Sequence, residues 1–304
     1  MQLNFEIIRV AAVLAGALLA AEQDRRTSFI DEKITYSMIG AGIILNVLSF
    51  DANLIAFALG GAAVIFALGY ALYKYGKLGG ADVLLFCGIH LLLPYPPAGV
   101  QDWFWQTFLP EKALAHALVS EASRAIPFVA SVFVASAMIA IAGTAVLYFT
   151  KLWGRKLKPD LPVAAVIAAA AIVIAYLFNA AGIWDGPRFP LVFVLAVEFI
   201  CAGFVTVFQK QIMDEVIARE VPIAKIEDED VILTDRMDRR IAEKYRVGPV
   251  ATEQELVNLK KIEKNEGIRK FPVAKELPRL GPYIFIALAL AILIGDLVAF
   301  ALVS

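Results

Sequence analysis

Apolar residues occur in long runs, separated by short polar connections and by one long charged stretch. Eight runs approach the roughly 20 residues that a helix needs to cross a bilayer. They cover residues 5–22, 36–50, 54–73, 82–95, 127–149, 161–183, 190–208 and 282–302. The second and fourth runs are short, so the bundle has to shield their ends. The pattern predicts an all-α polytopic membrane protein with about eight transmembrane helices.

The charged stretch 209–280 has a different pattern. Acidic and basic residues alternate there, and aromatic residues are few. We expect helices over 235–245 and 252–265 and short strands over 221–223 and 231–233. The stretch is therefore predicted to be either a small α+β insert between two membrane helices or a partly flexible segment.

The chain is expected to have three parts. Residues 1–208 would form a membrane helix bundle, 209–280 a cytoplasmic charged insert, and 281–304 the final transmembrane helix. Lysine and arginine are enriched in the connections after the first, third, fifth and seventh runs. By the positive-inside rule, both termini lie outside and the insert lies in the cytoplasm of a cell that carries the protein in its plasma membrane.

Composition narrows the classes of function. The chain is 60% hydrophobic and 19% charged, which fits a lipid bilayer as its surroundings. A net charge of -1 without a basic patch does not favour nucleic-acid binding. Cys87 and Cys201 both lie in apolar runs, which indicates neither a disulfide framework nor a zinc cluster. We therefore predict no metal and no cofactor.

An outer connection over 96–126 contains the aromatic sequence Trp103-Phe104-Trp105, followed by an apolar-periodic stretch over 111–122. Tryptophan favours the level of the lipid headgroups. The stretch 111–122 is predicted either to lie on the outer interface as a helix or to form a packed loop.

Two carboxylates stand at ends of apolar runs on the same predicted face. Asp24 follows the first run, and Asp82 opens the fourth, directly after Gly79, Gly80 and Ala81. A pair of close carboxyls shares one proton, so one member can deprotonate water while the other polarises a carbonyl. The glycines allow close approach of backbone, and the helix dipole favours an ionised Asp82. Residue types alone leave catalysis and helix capping as alternatives, because an aspartate at a helix end usually caps it.

The segments around these aspartates are similar to those of a known family. Residues 24–35, Asp-Arg-Arg-Thr-Ser-Phe-Ile-Asp-Glu-Lys-Ile-Thr, resemble the first aspartate segment of type IV prepilin peptidases. Residues 79–82, Gly-Gly-Ala-Asp, resemble the second motif of that family, Gly-x-hydrophobic-Asp. Residues 270–272, with Gly281 and Gly295-Asp296, resemble the closing segment of the archaeal branch, which includes preflagellin peptidases.

The sequence departs from that family at two positions. Asp31 stands where many members have proline, and it offers a second aspartate in the same loop. Asp24 is preferred because it lies at the helix end and six residues before Ile30. Ala81 stands before the second aspartate, where related intramembrane proteases have glycine, and this favours the prepilin-peptidase form.

The resemblance implies an aspartic endopeptidase with Asp24 and Asp82 as its catalytic pair. Gly79, Gly80 and Ala81 would support the motif or bind substrate. Partners would be pilin or archaellin precursors, whose short basic leader is removed at the cytoplasmic face of the membrane. The chain lacks the cysteine-rich insert of many bacterial members, which implies peptidase activity without N-methylation.

Two other classes of function compete with the peptidase. A transporter would use Glu198 and Asp296 as intramembrane carriers, although no repeat of two halves is visible. A membrane scaffold would bind a partner through 209–280. The acidic run 227–230 is read either as a site that attracts a basic leader or as a solvated surface.

Overall fold

The computed structural model describes residues 2–75, 78–112, 127–180, 189–227, 230–275 and 278–295. These residues are mostly helical, with one small sheet. The bundle contains α1 Gln2–Thr27, α2 Glu32–Val47, α3 Ala52–Lys74, α4 Gly80–Leu92, α5 Ala98–Phe108, α6 Phe128–Leu152, α7 Leu161–Ala180, α8 Phe189–Val207 and, at the end, α12 Gly281–Ile294. Between α8 and α12 lie α9 Gln209–Ile212, β1 Ala218–Val221, β2 Val231–Ile232, α10 Arg239–Tyr245, α11 Glu253–Glu266 and β3 Phe271–Ala274.

The described helices differ in length and hydropathy, and therefore in whether they could cross a membrane. Three of them, α3, α6 and α7, are long and apolar enough to do so. Helix α8 makes a fourth if it is joined to the segment Gln209–Ile217, which is bent from it by 65°. Helices α4 and α12 are apolar but shorter. The chain is thus a helical membrane protein with three or four candidate spans in its described part, and the expected count of about eight is not confirmed.

Helices α4 and α12 form the centre of the bundle. Every residue of α4 from Leu85 to Leu92 is buried, as befits a helix that is apolar all round. Helix α4 packs mainly against α2 and α3, while α12 packs mainly against α1 and α6. Their fully buried side chains, among them Leu85, Ile89 and Leu288, belong to one hydrophobic core. The two shortest apolar helices are therefore enclosed by the longer ones.

The carboxyl end of α4 receives hydrogen bonds from other helices. A helix of 13 residues is only about 20 Å long, and its last carbonyl groups need partners inside the protein. Arg9 donates from Nη1 to the Leu92 oxygen at 3.0 Å and from Nη2 to the Leu45 oxygen at 2.9 Å. Asn46 donates to the Leu91 oxygen at 2.9 Å. The carboxyl end of this helix is therefore shielded, as expected for a short run.

The carboxyl end of α12 is supported in the same way, from α5. Gln101 donates from Nε2 to the Ala291 oxygen at 3.0 Å, and Trp105 donates from Nε1 to the Ile294 oxygen at 3.0 Å. The aromatic part of the outer connection is therefore a helix that holds the end of α12. Most of the apolar-periodic stretch 111–122 lies outside the described residues.

A three-stranded antiparallel sheet forms the core of the segment between α8 and α12. Its order is β1-β3-β2, with Ala218 opposite Ala274 and Ile232 opposite Val273. All four residues of the central strand β3 are buried. This strand was not predicted from the sequence, because a central strand that contains Pro272 is unusual.

The other expectations for this segment are largely confirmed. Helices α10 and α11 fall within or next to the expected ranges 235–245 and 252–265, and Thr252 caps α11. The strand expected over 221–223 is displaced. It ends at Val221, because Pro222 has no N–H for the ladder and a 3₁₀ turn begins at Ile223. The division of the chain at 208 and 280 stays a prediction.

Polar contacts fix this segment against the bundle. Gln211 accepts a hydrogen bond from the Lys158 backbone N–H at 3.0 Å, in the connection between α6 and α7. Arg155 pairs with Glu215 at 3.1 Å. A hydrophobic cluster joins the end of α6 to residues of the sheet. The sheet is thereby held beside the end of α6.

We predict that Arg9→Met destabilises the protein by about 2 kcal/mol or more, because two carbonyl oxygens lose a charged donor inside the bundle. The measurement is the denaturation midpoint of the purified protein in detergent. Arg239→Met is the matched control, since Arg239 is 91% exposed and pairs only with Glu243 on the surface in the described part of the chain. Equal midpoints for the two variants would contradict this role of Arg9.

Candidate active site

A cavity of about 1020 Å³ opens where α1, α4, α6 and α8 meet the segment that precedes α12. Both Asp24 and Asp82 line it. Its wall also carries hydroxyl groups from three helices, those of Thr27, Thr144 and Thr206. The cavity thus carries a few polar groups on a largely apolar wall, at the ends of the two short helices.

Asp24 is held by the first backbone N–H group of α12. The Gly281 N–H donates to Asp24 Oδ2 at 2.8 Å, and Asp24 is 7% exposed. Helix α1 runs to Thr27, so Asp24 lies in its last turn rather than at its end as expected. In this last turn the Thr27 hydroxyl donates to the Gln23 carbonyl oxygen at 2.9 Å. The helix ends before Ser28, which has φ of 59°.

Asp82 lies in the first turn of α4 and is half-buried. Gly79 is the N-cap of this helix, and Gly80 is its first residue. A Cβ atom on Gly79 would lie 2.9 Å from Asp82 Oδ2, so the absence of a side chain leaves room for the carboxylate. Ala81 packs against the main hydrophobic core. The effect of Gly79 on Asp82 is therefore steric: a glycine leaves room for the carboxylate beside it.

The two aspartates share one electrostatic feature. Asp82 stands in the first turn of α4, and Asp24 accepts a hydrogen bond from the first turn of α12. The amino end of a helix carries a partial positive charge of about half a unit and unpaired N–H groups. Arg279 adds a full positive charge to the same wall and donates to the Arg25 carbonyl oxygen. These positive groups oppose the effect of burial, which raises the pKa of the Asp24 carboxyl group.

Asp31, the second aspartate of the loop, has a different position. It is the N-cap of α2, and its Oδ1 accepts a hydrogen bond from the Lys33 N–H at 2.9 Å. It is not among the described residues that line the cavity. Of the two candidates in this loop, the structure brings Asp24 to the wall that Asp82 shares.

The sequence analysis missed several groups at this cavity. Lys275 and Arg279 line it from the segment that joins β3 to α12, and no motif or hydropathy signal marks them. Within the acidic run, Glu227 and Asp230 line the cavity, whereas 228 and 229 lie outside the described residues. Lys275 pairs with Asp230 at 2.5 Å, so part of that acidic charge is already balanced.

Glu198 and His90, two ionisable residues of the membrane runs, do not line this cavity. Glu198 in α8 has a buried Oε2 that accepts no hydrogen bond in the described part of the chain, and Asp296 lies outside that part. His90 lies two turns beyond Asp82, and its Nε2 is 3.4 Å from the Phe57 oxygen. Among the described residues no group of histidine, cysteine and carboxylate side chains could hold a metal ion.

Two carboxyl groups from separate helices line one cavity, and they define the class: a helical membrane protein with a candidate acid–base site. Residues 11–143 match the model of the type IV leader peptidase family, and this range contains both aspartates and their motifs. Over these residues the chain is similar to that family, in agreement with the resemblance of the two aspartate segments.

One curated relative is the prepilin peptidase EppA of Methanothermobacter thermautotrophicus. It is 31% identical over 112 residues, which are 36% of this chain and 29% of that relative. The match thus spans less than a third of the relative's length. No solved structure matches the chain.

We predict that cysteines placed at 24 and 82 can be joined by a short bifunctional maleimide, because both positions face one cavity. The pair is introduced after Cys87→Ala and Cys201→Ala, and the cross-linked peptides are identified by mass spectrometry. Asp31→Cys with Asp82→Cys is the matched control, and we expect much less of its product. Equal yields from the two pairs would contradict the shared cavity.

Proposed function

We propose that this protein is a membrane aspartic endopeptidase that removes the short basic leader from prepilin or preflagellin precursors. One observation carries the proposal: Asp24 and Asp82, from the two segments that resemble the family's motifs, line the same cavity. The match of residues 11–143 to the leader peptidase family supports the class of reaction.

The proposed chemistry uses the two carboxyl groups as a unit. With one proton shared between them, the ionised carboxyl deprotonates water and the protonated one polarises the scissile carbonyl group. The pair then carries a single negative charge. The amino ends of α4 and α12, with Arg279, supply positive potential that stabilises this charge. No metal or cofactor takes part in this proposal.

The size and borders of the cavity fit a peptide substrate. Ligand pockets usually enclose about 300–1000 Å³, so a cavity of about 1020 Å³ has room for a peptide segment. A scissile bond has to leave helical geometry before attack, because helical backbone groups already bond to one another. The open backbone around Gly79 is the proposed place for such an extended segment.

The acidic residues on the opposite wall would receive the leader. Glu227 is 84% exposed in its side chain and stands on the rim of the cavity. A basic leader would gain from this charge, and the gain would fall as salt screens it.

The proposal includes a topology. Eight spans, with both termini outside, would place Asp24, Asp82 and the insert 209–280 at the cytoplasmic face of the plasma membrane, where a leader is accessible. The insert would then form one wall of the cavity from the cytoplasm, while 1–208 and 281–304 would form the membrane part.

The transporter alternative receives no comparable support. The buried Oε2 of Glu198 has no hydrogen-bond partner in the described residues. The matched family and the curated relative are both peptidases by name.

We predict that Asp24→Asn and Asp82→Asn each lower precursor cleavage by about 100-fold or more, since each removes one acid–base role. The assay follows a basic-leader precursor in membranes or detergent, and the mobility of the product reports cleavage. Asp31→Asn is the control and should retain activity, because Asp31 caps α2 outside the cavity. Full cleavage by either of the first two variants would rule out the pair.

We predict that Glu227→Lys raises KM for a basic-leader precursor several-fold with little change in kcat, because it reverses a charge on the rim. The effect should shrink as ionic strength rises. Glu263→Lys, on the exposed face of α11, is the control of equal charge change. An equal rise in KM for both variants would exclude a local role for Glu227.

A further inference from the structure

We propose that Gly281 is a positioning residue for Asp24: its backbone N–H fixes the carboxylate, and only a residue without a side chain can stand there. This inference rests on the proposed function of Asp24. It assigns a role to the start of the last helix, which lies far outside the matched residues 11–143.

Gly281 is closely surrounded by atoms of Asp24 and Ala21. Gly281 and Asp24 are both buried, and the N–H of Gly281 donates to Oδ2 at 2.8 Å. A Cβ atom at position 281 would lie 2.9 Å from Asp24 Oδ2 and 3.1 Å from Asp24 Cβ. It would also lie 3.3 Å from the backbone Cα of Ala21. A methyl group at 281 would therefore have to push the carboxylate away from its place.

Helix α12 has little freedom to move aside. Gln101 and Trp105 bind its carboxyl end, and Ile284 and Leu288 are fully buried along its length. The position of the Gly281 N–H is thus set by the whole helix. A rigid donor that approaches within hydrogen-bonding distance selects one rotamer of Asp24, and this is how a supporting group holds a catalytic side chain in place.

Gly143 provides a matched comparison. It lies on α6 where that helix packs against α12, and a Cβ atom there would come within 2.6 Å of the Tyr283 side chain. Gly143→Ala therefore crowds the same helix near its start, but the nearest group is a tyrosine ring rather than Asp24. The pair of variants separates a general packing effect from displacement of the carboxylate.

The test compares cleavage of a basic-leader precursor by the wild type, Gly281→Ala and Gly143→Ala in the full-length protein. We expect Gly281→Ala to lower kcat by about 10- to 100-fold with KM changed less than about threefold, because a displaced catalytic group slows the chemical step. Gly143→Ala should keep kcat within about threefold. Equal kcat losses in the two variants, or no loss in Gly281→Ala, would overturn the inference.

A second measurement does not depend on cleavage. Gly281→Ala is placed in the wild type and in Asp24→Ala, and the denaturation midpoints of the four proteins form a cycle. We expect a smaller loss of stability in the Asp24→Ala background, where the Oδ2 contact is absent. Equal losses of stability in both backgrounds would contradict direct coupling between Gly281 and Asp24.

The two measurements distinguish failure of this inference from failure of the proposed function. A wild type that cleaves no basic-leader precursor overturns the proposed function, and the cycle still decides whether Gly281 and Asp24 are coupled. A wild type that cleaves, together with a fully active Gly281→Ala, overturns the inference and leaves the proposed function standing.

Discussion

Hydrogen bonds to the ends of two short helices hold this structure together. Backbone groups that end inside a membrane bundle have no water to bind, so the protein itself must provide their partners. Arg9 and Asn46 serve the carboxyl end of α4, and Gln101 and Trp105 serve that of α12. At the opposite ends the free N–H groups face the cavity. One of them binds Asp24, so the same constraint that ends these helices also creates a place for acidic side chains.

Much of the helical pattern could be predicted from the sequence, because apolar runs of membrane length leave few alternatives to a helix. Asp82 could also be singled out, because it stands beside two glycines at the edge of an apolar run. Asp24 could be singled out because it follows the first run and because residues 24–35 resemble a segment of the family. The short predicted length of the fourth run pointed to the need for support at its end. Hydropathy could not separate Asp24 from Asp31; the α2 cap formed by Asp31 does so in the structure.

Contacts between distant parts of the chain could not be predicted in this way. Gln101 and Trp105 reach carbonyl groups about 190 residues away in sequence, and no local pattern encodes such a pairing. Gly281 looks like an ordinary helix-opening glycine until the carboxylate of Asp24 is seen beside it. The central strand β3 was hidden because Pro272 normally argues against a place inside a sheet. The role of each of these residues depends on tertiary contacts, which the local sequence does not show.

The hydrogen bond between residues 24 and 281 ties the beginning of the chain to its end. The family match covers 11–143 and contains both aspartates, yet the donor that holds one of them comes from beyond it. An excised fragment with these boundaries would keep the motifs and forfeit the environment that gives them a defined geometry. The segment that matches the family model is therefore shorter than the segment that the site needs for its geometry.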